Sequence, residues 1–302
     1  MMNELDKEIK KLGIKIDENV NIVKLTTYKA GGKASIVAYP SNVDQLIDLI
    51  RLLKSRGIKY KVIGNGSNLL FSDKLYEGVL INLKAFDTCK FISNNRVKVG
   101  AGFPLIKLSL RCAKRDLTGL EFASGIPGTI GGAVFMNAGA YKSDMGYIVS
   151  SCKVLTDKLE VITLTNAELD FHYRQSFLQK HPEYICLEAT LHLRKGKREA
   201  IEAVIEERKR RRVISQPLEY PSCGSVFRNP PDDFAGRLIE EAGLKGKRIG
   251  GAVVSEKHAN FIVNDKNATG EDIHSLILLV HDEVLDKYGV DLKVEQEFVN
   301  WE

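Results

Sequence analysis

Three glycine-rich segments between residues 64 and 133 constrain the fold of this 302-residue chain more than any other feature. They are Gly64-Asn65-Gly66-Ser67-Asn68, Gly100-Ala101-Gly102 and the run 125–133. Because glycine has no Cβ, the backbone N–H groups beside it can converge on an anion. One such loop is equally well a plain turn, but three in one stretch predict a phosphate-binding site.

Neither common nucleotide fingerprint is present in these segments. Gly64 and Gly66 are followed by Leu69 at the position where the Rossmann pattern requires a third glycine. No Gly-Lys pair is followed by Ser or Thr, so the chain has no P-loop sequence. The glycine loops therefore point to a different nucleotide-binding fold.

Composition indicates an ordinary globular protein, with 44% apolar and 27% charged residues. The five cysteines form no C-x-x-C pair and the six histidines no H-E-x-x-H pair, so we expect free thiols, a reducing compartment and no metal site. Residues 1–11 lack the apolar core of a signal peptide. The apolar run 276–280 is far shorter than a membrane span. The sequence thus predicts a cytoplasmic protein that has no membrane contact.

The net charge of +5 is mild, and its densest run, 208–212, ends a helical pattern. Cations in a last helical turn complement the helix dipole. No aromatic residues are interleaved with this run, so we expect no nucleic-acid partner. The charge suits small anionic ligands, and nothing in the sequence indicates an obligate protein partner.

Helix-like and strand-like segments alternate irregularly, which predicts an α+β protein with mixed sheets rather than a βαβ series. A polar, proline-containing link follows a charged helix, and we place a domain boundary near Lys195. The predicted helices are 42–55 (capped by Ser41), 104–116, 197–212, 232–242 and 269–288. The predicted strands are 21–27, 60–63, 78–83, 96–99, 184–193, 252–255, 260–264 and 292–299, with a hairpin at 151–164.

Four segments together resemble the FAD-binding half of the UDP-N-acetylenolpyruvoylglucosamine reductases. That half has the two-subdomain FAD-binding fold of the p-cresol methylhydroxylase and vanillyl-alcohol oxidase type. The segments are Gly31-Gly32-Lys33-Ala34, Gly64 to Asn68, Gly119 to Gly128, and Asn137-Ala138-Gly139-Ala140-Tyr141. The resemblance covers nearly the whole chain, from about Thr26 to Glu295.

The resemblance implies an FAD-binding domain at 26–195, with subdomains of about 26–84 and 85–195. It also implies a C-terminal α+β substrate-binding domain at 196–302, and an N-terminal segment at 1–25. Asn137 to Gly139 would lie beside the cofactor, and the two glycine loops would contact its diphosphate and flavin. The cofactor-binding residues so implied are Gly64, Asn65, Gly66, Ser67, Asn68, Gly125, Ile126, Pro127, Gly128, Gly131, Gly132, Asn137, Ala138 and Gly139.

The implied activity is the NADPH-dependent reduction, through FAD, of the enolpyruvyl group of a UDP-amino sugar in peptidoglycan precursor synthesis. Adding a hydride at the β-carbon of that group leaves negative charge on the α-carbon and its carboxylate. By resemblance, Arg174 would stabilise this charge, Ser225 would protonate the α-carbon, and Glu295 would assist. The implied substrate-binding residues are Tyr173, Arg228 and Asn229, and no metal is implied.

The chain departs from the family pattern at two places. The family glutamate is usually followed by an apolar residue and arginine, whereas Gln296 and Glu297 follow here. In a strand 292–299, Glu297 would share a face with Glu295 and could replace it. Lys142 stands where the family usually has glycine. The short stretch between Arg174 and Ser225 resembles the family's shorter form, which lacks an added substrate-capping loop.

Two other functions stay open from the sequence. One is a flavin-dependent alcohol or aldehyde oxidase of the same fold, although no histidine in a glycine loop is present to tether the flavin. The other is a nucleotide-binding regulatory module without turnover, which would bind its ligand but transfer no electrons.

Overall fold

The computed structural model describes residues 2–93 and 95–302. Its helices are α1 Met2–Lys11, α2 Val43–Ser55, α3 Leu105–Ala113, α4 Ile130–Phe135, α5 Phe177–Lys180, α6 Arg198–Ser215, α7 Ala235–Glu241 and α8 Gly270–Tyr288. Its strands are β1 Lys15–Asn21, β2 Lys33–Tyr39, β3 Tyr60–Ile63, β4 Leu69–Phe71, β5 Tyr76–Asn82, β6 Cys89–Ile92, β7 Arg96–Gly100, β8 Leu117–Thr118, β9 Gly139–Ala140, β10 Ser143–Asp144, β11 Val149–Leu155, β12 Val161–Thr165, β13 Ile185–His192, β14 Arg194–Lys195, β15 Arg248–Ile249, β16 Ala252–Val254, β17 Ile262–Asn264 and β18 Glu297–Val299.

The chain divides into two compact units, each built from three stretches of sequence. Unit 1 comprises residues 1–18, 36–65 and 78–210, and unit 2 comprises residues 19–35, 66–77 and 211–302. Each unit has a hydrophobic core of its own.

A four-stranded sheet in the order β1-β2-β5-β3 forms the first layer of unit 1, with β3 and β5 parallel. Helix α2 buries an apolar stripe that includes Leu46, Leu49 and Leu53. The helix prediction 42–55 is confirmed, but Ser41 is not its cap. The Asn42 side chain accepts a hydrogen bond from the Gln45 N–H at 2.9 Å, because Asn42 is the last extended residue.

A second sheet of unit 1 has the order β12-β11-β13-β7-β6, and all of its pairings are antiparallel. Strands β11 and β12 form the predicted hairpin, and β7 and β13 confirm the strands predicted at 96–99 and 184–193. Alternate side chains of β13, those of Leu187, Ala189 and Leu191, are buried. The period-two pattern therefore identified this sheet correctly.

Unit 2 packs helix α8 with a three-stranded antiparallel sheet, β15-β16-β17. Thr269 begins α8 with a capping box, in which the Thr269 hydroxyl and the Asp272 carboxylate each accept a backbone N–H. The Asp73 carboxylate also accepts the N–H groups of Gly270 and Glu271, each at 2.9 Å. These bonds satisfy donors that the first helical turn leaves unpaired.

Two strand predictions were wrong in extent. Residues 22–24 form a 3-10 turn rather than a strand, because the Asn21 side chain accepts the Val23 N–H and ends β1. Only Glu297–Val299 of the predicted strand 292–299 is a strand, and it pairs in parallel with β4. The buried side chains Leu292, Gln296 and Val299 are four and three residues apart, a spacing that breaks the alternation of a continuous strand.

Helix α7 is shorter than predicted. The Asn229 side chain accepts the Ala235 N–H at 3.1 Å, so residues 230–234 form a turn before the helix begins. Among residues 2–93 and 95–302, no helix has both the length and the apolarity to cross a bilayer.

Candidate active site

Gly64 and Asn65, the first two residues of the first glycine segment, contact the third segment within unit 1. A Cβ on Gly64 would lie 2.5 Å from the Thr129 hydroxyl oxygen, so only glycine fits there. The Asn65 side chain donates to the Pro127 carbonyl at 3.1 Å. Thr129 caps α4, because its hydroxyl accepts the Gly132 N–H. Thr129 lies in the predicted glycine loop but was not among the individually predicted residues, although a threonine before a helical segment is a known capping signal.

Backbone donors in these loops match the needs of a diphosphate. Within the described part of unit 1, the N–H groups of Asn65 and Thr129 have no hydrogen-bond acceptor. Unpaired backbone N–H groups in a glycine-rich loop are a recurrent way of binding phosphate oxygens. A Cβ on Gly132 would meet only the Thr129 hydroxyl, at 3.7 Å, so the backbone there is open to a ligand. The residues present therefore fit the diphosphate of FAD.

Other glycines are required by the protein's own packing. A Cβ on Gly100 would overlap the Phe86 carbonyl oxygen, and one on Gly102 would overlap that of Leu83. A Cβ on Gly131 would lie 3.0 Å from that of Ala101, and the Gly131 N–H donates to the Ala101 carbonyl at 2.8 Å. Backbone segments that pack this closely explain the second glycine segment without any ligand.

Arg174 lies at the tip of a tight turn in unit 1. His172 and Gln175 exchange two backbone hydrogen bonds of 3.0 Å, which leaves Tyr173 and Arg174 at the turn. Arg174 has a φ of +54°, a left-handed conformation that is uncommon for a residue with a side chain. Its guanidinium donates to the Gly139 carbonyl at 2.8 Å and lies 5.0 Å from the centre of the Tyr173 ring.

The segment 137–144 forms a hairpin beside this turn. Asn137 is 1% exposed, and its amide donates to the His172 carbonyl at 2.8 Å and accepts the Gly146 N–H at 2.9 Å. Strands β9 and β10 enclose a two-residue turn in which Tyr141 and Lys142 have φ of +55° and +58°. Glycine favours this conformation, which explains why the family has glycine at the position of Lys142.

Ser225 lies in a segment of unit 2 that is anchored on two sides. Gly224 precedes it with a φ of +72°. Val226 and Phe227 bond to Asn260, whose side chain accepts the Phe227 N–H at 2.9 Å and donates to the Phe227 carbonyl at 2.8 Å. Asn260 is 3% exposed, and no motif in the sequence indicated its role.

Glu295 lies next to this segment in unit 2. The Glu295 N–H donates to the Val226 carbonyl at 2.8 Å, which brings two of the predicted catalytic residues onto adjacent stretches of chain. The Asn68 side chain donates to the Glu295 carbonyl at 3.0 Å, and the Glu297 N–H donates to the Asn68 carbonyl at 2.9 Å. Because β18 begins at Glu297, strand alternation does not place Glu297 on the same face as Glu295. Arg174, the third predicted catalytic residue, belongs to unit 1.

Arg228 and Asn229, which follow Ser225 in the sequence, differ in their exposure to solvent. The Arg228 Nε atom is buried and has no hydrogen-bond partner among the described residues. A buried, unpartnered donor on a cation is costly, and an anionic ligand would relieve that cost. Asn229 is exposed, and its side-chain oxygen accepts the Ala235 N–H at the start of α7.

Cys223 is a packed thiol. It is 3% exposed and contacts the Thr27 hydroxyl at 3.2 Å and the Gly66 carbonyl at 3.5 Å. Burial raises its pKa to about 12, so the thiol stays protonated at neutral pH. The Gln296 side chain donates to the Cys223 carbonyl at 3.4 Å and accepts the hydroxyl of buried Tyr28 at 2.9 Å.

Comparisons with known proteins agree with these observations. A family model described as an FAD binding domain matches residues 34–165, and the model for the UDP-N-acetylenolpyruvoylglucosamine reductase C-terminal domain matches residues 216–299. The UDP-N-acetylenolpyruvoylglucosamine reductase of Anoxybacillus flavithermus is 45% identical over 284 residues, which are 94% of each chain.

Two solved structures are also similar. The crystal structure of UDP-N-acetylenolpyruvylglucosamine reductase from Thermus caldophilus has a TM-score of 0.82 and 34% identity, and the match covers 94% of this chain and 99% of that one. The BBE-like 1 protein of Physcomitrella patens shares only the fold, with a TM-score of 0.50, 17% identity, and coverage of 63% of this chain and 44% of that one. The predicted fold class and the prediction of an FAD-dependent reductase are confirmed. The chain belongs to the UDP-N-acetylenolpyruvoylglucosamine reductase family.

Proposed function

We propose that this protein reduces the enolpyruvyl group of UDP-N-acetylglucosamine enolpyruvate to UDP-N-acetylmuramate, using NADPH, and that Arg174, Ser225 and Glu295 perform the chemistry. Family membership supports the activity, and the catalytic roles are supported by the hydrogen bond of 2.8 Å from the Glu295 N–H to the Val226 carbonyl, next to Ser225. In this proposal residues 26–195 bind the cofactor and residues 196–302 bind the sugar nucleotide.

FAD supplies two-electron transfer between NADPH and the substrate when it is bound. Asn65 and Thr129 of unit 1, whose backbone N–H groups have no acceptor among the described residues, would hold its diphosphate. These donors are uncharged and fixed by the backbone, so they orient a phosphate without reorganising.

Arg174 stabilises the negative charge that develops on the substrate carboxylate. Its guanidinium is planar and always ionised, and it can donate two parallel hydrogen bonds to one carboxylate. Gly139 already directs it through the 2.8 Å bond to its carbonyl oxygen. A donor fixed in advance stabilises developing charge better than one that must reorganise.

Ser225 delivers the proton to the α-carbon. An alcohol is a weak acid, but an enolate is basic enough to take its proton when the two are held in hydrogen-bonding geometry. The bonds of Asn260 and Glu295 to the neighbouring backbone supply such rigidity. Glu295 holds the serine or a water in place, and Glu297 is the alternative carboxylate for this role.

Arg228, Asn229 and Tyr173 contact the sugar nucleotide in this proposal. The buried and unpartnered Nε of Arg228 supports a contact with a phosphate or carboxylate. We assign the enzyme to the cytoplasm because its five cysteines, including Cys152 and Cys186 with sulfur atoms 3.3 Å apart, are free thiols. We assign it no nucleic-acid, membrane or obligate protein partner.

Rapid mixing of the flavin-loaded enzyme tests the roles by separating the two half-reactions. Ser225→Ala should leave flavin bleaching by NADPH unchanged and slow its reoxidation by the enolpyruvyl substrate about a hundredfold or more. Ser222→Ala, three residues earlier in the same segment, is the matched control and should match the parent enzyme. An unchanged reoxidation rate in Ser225→Ala would remove the serine from the mechanism.

The same experiment addresses the other two functions. An oxidase would be reoxidised by oxygen alone and would not respond to the enolpyruvyl substrate under nitrogen. A regulatory nucleotide-binding module would show no bleaching by NADPH at all. Family membership favours the reductase over both.

A further inference from the structure

Three side-chain hydrogen bonds join the Arg174 turn to every second residue of the segment 135–139 in unit 1. The Ser176 hydroxyl donates to the Phe135 carbonyl at 2.7 Å. The Asn137 amide donates to the His172 carbonyl at 2.8 Å. The Arg174 guanidinium donates to the Gly139 carbonyl at 2.8 Å. The turn is thus held by one bond before Arg174, one bond of Arg174 itself and one bond after it.

The residues that donate the two flanking bonds are buried. Ser176 is 0% exposed and Asn137 is 1% exposed. Both have a second anchor, because the Asn137 side chain also accepts the Gly146 N–H and Ser176 begins helix α5. Buried hydrogen bonds of this kind are costly to leave unmade, so they fix the backbone on either side of Arg174.

The turn needs these hydrogen bonds because Arg174 has an unfavourable backbone conformation. Its φ of +54° costs about 1–2 kcal/mol for a residue with a Cβ, and such strain persists only where the surroundings impose it. A turn that relaxed to negative φ would redirect the arginine side chain away from the Gly139 carbonyl. The conformation of the turn and the direction of the guanidinium are therefore linked.

We propose that Ser176 and Asn137 are positioning residues that hold the Arg174 turn in its left-handed conformation and so aim the guanidinium for the reduction step. This inference rests on the charge-stabilising role of Arg174 proposed above. It assigns Ser176 a function, and it gives Asn137 a role through the arginine rather than through the cofactor. The loss of the Ser176 bond lowers the rate of the substrate half-reaction and leaves the NADPH half-reaction unchanged.

Ser176→Ala is the most direct test, and Ser109→Ala is its matched control. Ser109 is a 1% exposed serine of the same unit whose hydroxyl donates to the Leu120 carbonyl at 2.8 Å. The two variants lose an equivalent buried bond, so both should lower the melting temperature alike. Only Ser176→Ala should slow flavin reoxidation by the enolpyruvyl substrate, by about tenfold to a hundredfold, the effect expected when a catalytic group is misplaced.

Combining the variant with Arg174→Ala distinguishes positioning from general damage. If Ser176 acts through the arginine, Ser176→Ala should cause no further slowing in the Arg174→Ala background. Equal slowing in both backgrounds would overturn the proposal. So would an effect of Ser176→Ala no larger than that of Ser109→Ala. If Arg174→Ala itself left reoxidation unchanged, the proposed role of the arginine would fail first.

Asn137→Asp provides a second variant and a readout independent of turnover. Aspartate keeps the acceptor for the Gly146 N–H, tolerates the φ of +43° and loses the donor to the His172 carbonyl. Hydrogen exchange of the His172 and Gln175 amides should speed up in Asn137→Asp and Ser176→Ala but not in Ser109→Ala. Unchanged exchange in both variants would refute the anchoring of the turn.

Discussion

Gln296 occupies a position where the family usually has an apolar residue. Because its amide is buried, we can predict how its replacement changes the free energy of unfolding. The side chain is 5% exposed, accepts the Tyr28 hydroxyl at 2.9 Å and donates to the Cys223 carbonyl at 3.4 Å. Tyr28 is fully buried. Gln296→Leu would leave the tyrosine hydroxyl without its acceptor in the core of unit 2.

The magnitude follows from the cost of a buried polar group without a partner, about 1–3 kcal/mol. We expect Gln296→Leu to lower the free energy of unfolding by about 2 kcal/mol, since burial of the leucine offsets part of the loss. Tyr28→Phe should cost about 1.5 kcal/mol, because it strands the Gln296 oxygen. The double variant removes both partners, so it should cost about 2 kcal/mol rather than the sum of the two.

Urea unfolding followed by Trp301 fluorescence measures this coupling. Trp301 is the only tryptophan of the chain, and its indole N–H donates to the Leu70 carbonyl within unit 2, so its emission reports on the unit that contains Gln296. Tyr220→Phe is the control, because its ring is 42% exposed, and the change should stay within about 0.5 kcal/mol. Additive losses in the double variant, with no coupling, would refute the reasoning.

Four further predictions concern a turn, a helix cap and the thiol of Cys223. Lys142→Gly should raise the free energy of unfolding by up to about 1 kcal/mol by relieving a φ of +58°, whereas Lys158→Gly, in a turn without positive φ at that residue, should lower it; equal effects in chemical denaturation would contradict this. Asp73→Ala should cost about 1–2 kcal/mol in the Trp301 assay, because its carboxylate accepts two N–H groups at the start of α8, and a neutral result would mean that this cap is dispensable. Cys223 should resist iodoacetamide in the native protein while half-buried Cys89 is alkylated first, as peptide mass spectrometry would show; early labelling of Cys223 would contradict its burial. Burial raises the pKa of Cys223 from 9.0 to about 12, so its contribution to stability is complete below pH 9 and falls as the pH rises towards 12; denaturation curves at pH 8 and pH 10 check this sign.

Local sequence patterns predicted most elements of regular structure. The helices predicted at 42–55 and 269–288 are confirmed as α2 and α8, because an apolar stripe depends on residues close together in the sequence. The predicted strand 292–299 failed for the opposite reason. Glu297–Val299 is a strand because β4 lies alongside it, and β4 is distant in the sequence.

The candidate site divides in the same way. The order and spacing of the glycine segments identified the family, because those positions admit no side chain wherever backbone or ligand approaches closely. The sequence did not show which of these glycines face a ligand. Gly100 is required by the Phe86 carbonyl, whereas the backbone at Gly132 is open. Only the folded structure shows whether a given glycine is needed for close packing against the protein's own backbone or leaves space for a ligand.

The amino-acid sequence alone determined the family, the α+β class and the FAD-dependent reductase activity, since the glycine segments that carry the resemblance are each a few residues long. The tertiary structure alone decided that each compact unit is built from three stretches of sequence. It also decided that Asn260 anchors the Ser225 segment, and that Asn137 and Ser176 hold the Arg174 turn. These contacts join residues tens of positions apart, and no local pattern encodes a partner that only folding brings near.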